Sequence, residues 1–233
     1  MLETRCRMKI YTSPNSPFGA RIRIAAKAKG MDLESLPLPE GGLHSATFLK
    51  INPIARIPVL VTEDGTTIPE SSVILDYLED RFPAPSLLPE SPENRARLRL
   101  AGCIMDRYVM DPVIRLFPQL SPGERDDGVV SAEIARWRAG LDHLACFMVP
   151  SLPVAPAPAS LADCILAPSL HLGTRIAAML GLERDPMLAH PVLVEYYDRA
   201  RQNPVIAPVL SELTAAQARK DAQAGLPSLA HLH

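Results

Sequence analysis

Ser13-Pro-Asn-Ser16-Pro-Phe18 sets two hydroxyls immediately ahead of an apolar, helix-forming run. A serine there is sufficient as a helix cap with proline in the first turn. The same place also suits chemistry, because unpaired amides and the positive end of the helix dipole favour an anion. A hydroxyl donor at that end stabilises a thiolate, the reactive form of a thiol. Arg56-Ile57-Pro58-Val59-Leu60 is either a proline opening a strand or a cis Ile57–Pro58 bond. In the second case the Ile57 N–H and C=O are free to pair with an extended peptide. Pro69-Glu70-Ser71-Ser72 is a polar helix start, and equally a seat for an α-amino-acid end, with Ser71 holding a carboxylate and Glu70 an ammonium.

These residues need elements to carry them. Residues 8–12 read as a strand, followed by a helix capped by Ser16, opened by Pro17 and stopped by Gly30. The expected apolar face of that helix is Phe18, Ile22, Ala25 and Ala26, with Arg21, Arg23, Lys27 and Lys29 largely off it. A second strand at 33–38, a short helix near 45–50, strands at 58–62 and 66–68 about a Glu63-Asp64-Gly65 turn, and a helix over 70–82 complete the unit. Val73, Ile74, Tyr77 and Leu78 are expected to point inward from that last helix. The order β-α-β-α-β-β-α predicts a small α/β layer with a mixed sheet.

Beyond the proline-rich segment 83–89 everything reads helical: 92–116 with a kink at Pro112, 131–147, a helix to Gly181 behind the box Ser160-Leu-Ala-Asp163, and 190–202. The segment 149–160 reads as a loop and the last 18 or so residues as a frayed tail. No internal repeat is found.

Composition narrows the partners. The chain has 233 residues, 47% hydrophobic and 21% charged, which suffices for a buried core. With 24 basic against 26 acidic residues there is no polyanion footprint, so neither nucleic acid nor a membrane is an expected partner. Cys6, Cys103, Cys146 and Cys164 have no metal-site or disulfide spacing, so no metal is expected and a reduced, cytoplasmic setting is. His231 and His233 read as solvated. Phosphate-loop, dinucleotide, zincin and hydrolase-elbow motifs are missing, and no secretory signal is visible at the start.

With the three motifs in that order, the N-terminal part resembles the thioredoxin-like domain of the cytosolic glutathione S-transferases. The stretches that carry the resemblance are MKIYTSPNSPFGARIRIAAKAKG, FLKINPIARIPVL and PESSVILDYLEDRF. The helical remainder resembles the all-α domain of that family, with its Ser160–Asp163 capping box. The resemblance covers about residues 8 to 205 and implies two domains, 8–84 and 91–210.

It further implies that glutathione is the co-substrate and that Ser16 hydrogen-bonds its sulfur, with Ser13 and Tyr11 as rival hydroxyls. Ile57 matches the backbone partner of the cysteinyl part, Glu70 and Ser71 the pair holding the γ-glutamyl end, and Arg56 and His44 positions that reach the glycine carboxylate. The omega-like branch has cysteine where this chain has Ser16, which disfavours mixed-disulfide chemistry. The zeta-type isomerase branch shows Ser-Ser-Cys near its serine, against Ser-Pro-Asn-Ser here. The expected function is therefore transfer of glutathione to a small apolar electrophile in a detoxifying, cytoplasmic homodimer, with a second-substrate wall that includes Met105, Tyr108, Val109 and Phe117, although at that helical spacing core packing is the commoner role for any single one of them. The alternatives are a glutathione-dependent reductase, isomerase or ether- or halide-cleaving enzyme, or a non-catalytic glutathione binder.

Overall fold

In the computed structural model, residues 8–120, 123, 125–149, 152 and 157–223 are described. The predicted alternation is realised as β1 (Lys9–Tyr11), α1 (Pro17–Ala28), β2 (Glu34–Leu36), α2 (Ala46–Ile51), β3 (Val59–Val61), β4 (Thr67–Pro69) and α3 (Ser71–Arg81). The strands lie in the order β2-β1-β3-β4. β1 is parallel to β2 and antiparallel to β3, with Ile10 opposite Leu60, and β3 and β4 form the hairpin. This is a mixed four-stranded, thioredoxin-like sheet followed by helices, as the sequence led us to expect. The helical part comprises α4 (Pro92–Ile104), a π-helical stretch Met105–Met110, α5 (Asp111–Arg115), α6 (Asp127–Phe147), α7 (Leu161–Met179), α8 (Pro191–Gln202) and α9 (Ile206–Gln223).

Local chemistry explains the helix ends. Ser16 Oγ accepts the Gly19 N–H at 3.1 Å, and Gly30 leaves the helix at φ 66°. Ser160 and Asp163 form the reciprocal capping box at the start of α7. Asp126 caps α6, so that helix begins four residues earlier than the apolar periodicity suggested. Lys29 Nζ donates to Glu79 at 2.7 Å and to the carbonyls of Phe82 and Pro85, while Glu79 accepts from Ser86 and from the Leu87 amide at 2.9 Å. That cluster ties the proline-rich connection to α1 and α3. Burial disfavours the Glu79 carboxylate, but the donors outweigh it and hold its pKa below the usual range.

Several expectations are corrected. Arg21 and Lys29, assigned to the solvent side of α1, are buried, because α1 is covered by α3 on one side and α7 on the other. Val73 points outward, and its place in the core is taken by Leu75 beside Ile74 and Leu78. The irregularity expected at Pro112 is centred on the π-helical stretch before it, with Pro112 near the start of α5. The expected tail is α9 as far as Gln223. Asn203 starts that helix by accepting the amides of Val205 and Ile206, and Ile206, Val209, Leu210 and Leu213 bury one face of it. Half of the loop read at 149–160, together with Cys6, His231 and His233, lies outside the described residues.

Two observations yield predictions. Gly140 of α6 lies against the π-helical stretch so closely that an added Cβ would stand 2.0 Å from the Tyr108 carbonyl oxygen. Gly140→Ala is expected to cost about 2–3 kcal/mol in urea unfolding. His171 is half-buried between α7, α8 and α9. Tyr197 Oη lies 2.7 Å from its Nδ1 and Thr214 Oγ1 lies 3.0 Å from its Nε2. Thr214 donates to the Leu210 carbonyl, so it accepts from the ring, which fixes a neutral imidazole protonated on Nε2. Burial, then the charges of Arg175 and Arg201, lower its pKa to about 4. The unfolded chain takes up this proton near its ordinary value of about 6.5, so stability is full above that pH and falls as pH drops toward 4, by about 3 kcal/mol in all. Unfolding free energies measured across that window should show a slope that His171→Gln flattens.

Candidate functional site

The loop after β1, the turn before β3 and the start of α3 meet at one end of the sheet. Asn52, buried at the end of α2, builds the turn: its Nδ2 donates to the Arg56 carbonyl at 2.8 Å and its Oδ1 accepts the Ile54 amide at 3.1 Å. The Ile57–Pro58 bond is cis, and neither the N–H nor the C=O of Ile57 takes part in a hydrogen bond among the described residues. Glu70 precedes α3 with φ 68°, a conformation costly for a residue with a side chain. It brings the exposed Glu70 carboxylate and the buried Ser71 to the same place as Phe18, Asn52, Arg56, Ile57 and Pro58, which together line a slot of about 50 Å³.

Ile57 is also part of the neighbouring cavity, of about 550 Å³. Ser13, Asn15, Ser16 and Pro17 line one side of it, and Phe117, Leu120, Leu172 and Met179 add apolar surface. Arg175, Gln217, Lys220 and Asp221 supply the polar side. Slot and cavity thus form a continuous groove that passes two helix N-termini and one unpaired stretch of backbone. It can hold an extended peptide by its main chain and place an anion beside Ser16.

The two serines differ in their hydrogen bonds. Ser13 donates its hydroxyl proton to Asn15 Oδ1. Ser16 Oγ accepts from Gly19 and donates to no acceptor among the described residues. Gly19 makes this possible, since a Cβ there would stand 2.1 Å from Thr12 Oγ1. Tyr11 packs its ring edge-on against Phe48, with centroids 5.7 Å apart, and lines neither the slot nor the cavity. The structure does not bring His44 to the groove either; it stands exposed at the end of the 3-10 turn Gly42–His44. Of the four expected wall residues, Phe117 lines the cavity. Met105 and Val109 are core residues, and Tyr108 packs edge-on against His143 outside the groove. Helical spacing cannot tell a core face from a cavity face, which is why these were grouped together.

Under this groove lies Arg21, 1% exposed. Its guanidinium donates to Ser169 Oγ of α7 at 2.8 Å and more weakly to Ser71 Oγ at 3.4 Å, and it is paired with Asp106 of the π-helical stretch at 2.7 Å. It also stacks on the Phe18 ring at 4.6 Å. On the far side, Arg175 of α7 is paired with both carboxylate oxygens of Asp221, and Gln217 Nε2 reaches the Asn15 carbonyl at 3.4 Å. Sequence reading missed Asn52, Arg21, Arg175, Gln217, Lys220 and Asp221. The apolar period of 206–213 was the available signal for the last three. Among the described residues no cluster suits a metal ion, and no helix is long and apolar enough to cross a membrane.

Residues 10–86 match the family described as "Glutathione S-transferase, N-terminal domain". A maleylacetoacetate isomerase of Pseudomonas aeruginosa is 36% identical over 138 residues, which is 56% of this chain and 64% of that protein. Glutathione S-transferase Z2 of Arabidopsis thaliana is 27% identical over 89% of this chain and 92% of its own. The solved structure of the glutathione transferase URE2P6 from Phanerochaete chrysosporium, in complex with oxidised glutathione, superposes with a TM-score of 0.76 over 91% of this chain and 98% of its own at 20% identity, a likeness of fold. The first of these relatives bears the name of the isomerase alternative, against which the Ser-Pro-Asn-Ser run counts.

Arg21 gives the prediction for this arrangement. Arg21→Met leaves Asp106 without its partner and removes the link between α1 and α7, and is expected to destabilise the fold by about 3 kcal/mol. Asp106→Asn, at a partly exposed position, should cost less; chemical denaturation of both variants checks the order.

Proposed function

We propose that this chain, whose residues 10–86 match the glutathione S-transferase N-terminal domain, is a member of that family, binds glutathione along the groove and activates its thiol with Ser16. The observation that carries this reading is the state of the Ser16 hydroxyl. Its oxygen is held by the Gly19 amide at 3.1 Å while its proton is uncommitted, beside the unpaired backbone of Ile57. The Ser13 hydroxyl is already engaged as a hydrogen-bond donor to Asn15 Oδ1. The γ-glutamyl end goes to Glu70 and Ser71, its ammonium to the carboxylate and its carboxylate to the start of α3. The cysteinyl part pairs with the backbone of Ile57, and Arg56 faces the same slot.

Ser16 then donates to the sulfur, the thiol proton leaves to solvent, and the thiolate is favoured. In transfer, the thiolate forms a carbon–sulfur bond to an electrophile held against Phe117, Leu120, Leu172 and Met179, and in a displacement the leaving group departs with its electron pair. The protein forms no covalent bond of its own. A second reading is isomerisation, in which the thiolate adds to an alkene, the resulting single bond turns, and the thiolate is expelled with no net change in atoms. Two observations favour it: the relative named maleylacetoacetate isomerase, and Lys220 in the cavity wall, a cation that suits a carboxylate-bearing substrate. The division at 84–91, a cytoplasmic location and a homodimer belong to the same proposal.

Glutathione titrated at neutral pH should raise the ultraviolet band of bound thiolate. Ser16→Ala should remove that band and lower turnover about 100-fold while binding is largely kept, whereas Ser13→Ala should keep it. A band that survives Ser16→Ala removes Ser16 from this role. Aryl halides against cis-enones with a carboxylate then separate transfer from isomerisation.

A further inference from the structure

A second cavity, of about 280 Å³, lies between α7, α8, α9 and the 3-10 turn Pro186–Ala189. It shares only Arg175, Gln217 and Asp221 with the cavity at Ser16, so the Arg175–Asp221 ion pair stands in the wall between them. Its apolar lining includes Met187, Leu188 and Val194, beside the ring of Tyr197. It is just below the usual size of a small-molecule site, about 300 Å³ and above, which suits one ring with a short arm.

The charges on this wall do not cancel. Arg175 is paired with Asp221, and Arg201 with Asp198 at 2.8 Å. His171 is neutral, with both ring nitrogens committed to Tyr197 and Thr214. Asp185 remains. Its Oδ1 accepts the Met187 amide at 2.8 Å, while its Oδ2 is buried, accepts nothing and faces no paired cation among the described residues. Gln217, 5% exposed, likewise has a buried Oε1 with no donor. Two unused acceptors, one of them a carboxylate, thus line a cavity whose cations are already neutralised. Buried acceptors of this kind favour a ligand that brings donors, and a net negative wall favours a cation.

We propose that this cavity is a second binding site, separate from the Ser16 groove, for a small molecule that carries a protonated amine on an apolar body. The ammonium pairs with Asp185, Gln217 Oε1 takes a further donor, and the body lies against Met187, Leu188 and Val194. This assignment does not depend on the activity proposed above, because it concerns binding in a different place.

Calorimetric titration with phenethylamine tests it, with 3-phenylpropionate as the anion of similar size. Saturable binding of the amine and none of the acid is expected. Asp185→Asn, which keeps the oxygen that caps Met187, should weaken amine binding about tenfold or more. Val194→Trp, which fills the cavity, should abolish it. Thermal melts establish that each variant is folded, and glutathione titrations run alongside report on the other site. No saturable amine binding to the wild type, equal binding of the acid, or amine binding that survives Val194→Trp overturns the proposal. Displacement of the amine by glutathione also overturns it, since the amine would then occupy the Ser16 groove.

Discussion

The guanidinium of Arg21 is the interaction on which the site's geometry rests. A charge so fully removed from water is tolerated only when it is matched, and here the match is drawn from three separate stretches of chain: Ser71 at the start of α3, Asp106 in the π-helical stretch and Ser169 in α7. Each would be an ordinary polar residue on its own element. Gathered around one buried cation, they fix how the sheet-bearing part sits against the helices. Because Arg21 is on α1, one turn beyond Ser16, the same contact that joins the two parts also fixes the helix whose first turn faces the groove.

The groove owes its chemistry to backbone as much as to side chains. Ile57 contributes an N–H and a C=O that no strand has claimed. The first turns of α1 and α3 contribute amides, and Asn52 spends its whole side chain on holding a turn. The unusual dihedral angle at Glu70 fits this picture: a strained residue is retained where it presents a charged group at a helix start beside a slot.

Much of this was legible in the sequence. The order of the first seven elements follows from alternating periods and caps, and Ser16, Ile57, Glu70 and Ser71 stood out because each sits where a helix or strand begins. What stayed hidden was of two kinds. Arg21 and Lys29 read as solvent-facing because amphipathic patterning presumes one covered side, and α1 has two. Arg175 and Asp221 are far apart along the chain, and no local pattern announces a pair of that sort. Gln217, Lys220 and Asp221 were lost when their helix was read as a tail, although its apolar spacing was in plain view. Met105 and Val109 took the core role that helical spacing favours for any single such residue, since a periodic stripe looks the same whether it faces a neighbour or a cavity.

The terminal helix carries one more implication. The half of the groove with the unpaired backbone comes from the early sheet region, whereas the wall facing it is shared by α7, through Leu172, Arg175 and Met179, and α9, through Gln217, Lys220 and Asp221, beside Phe117 and Leu120. Replacements along α9 would change part of what the pocket admits and leave the half around Ile57 as it is. A chain built this way can change its choice of ligand by editing one late stretch of gene, with the early half preserved.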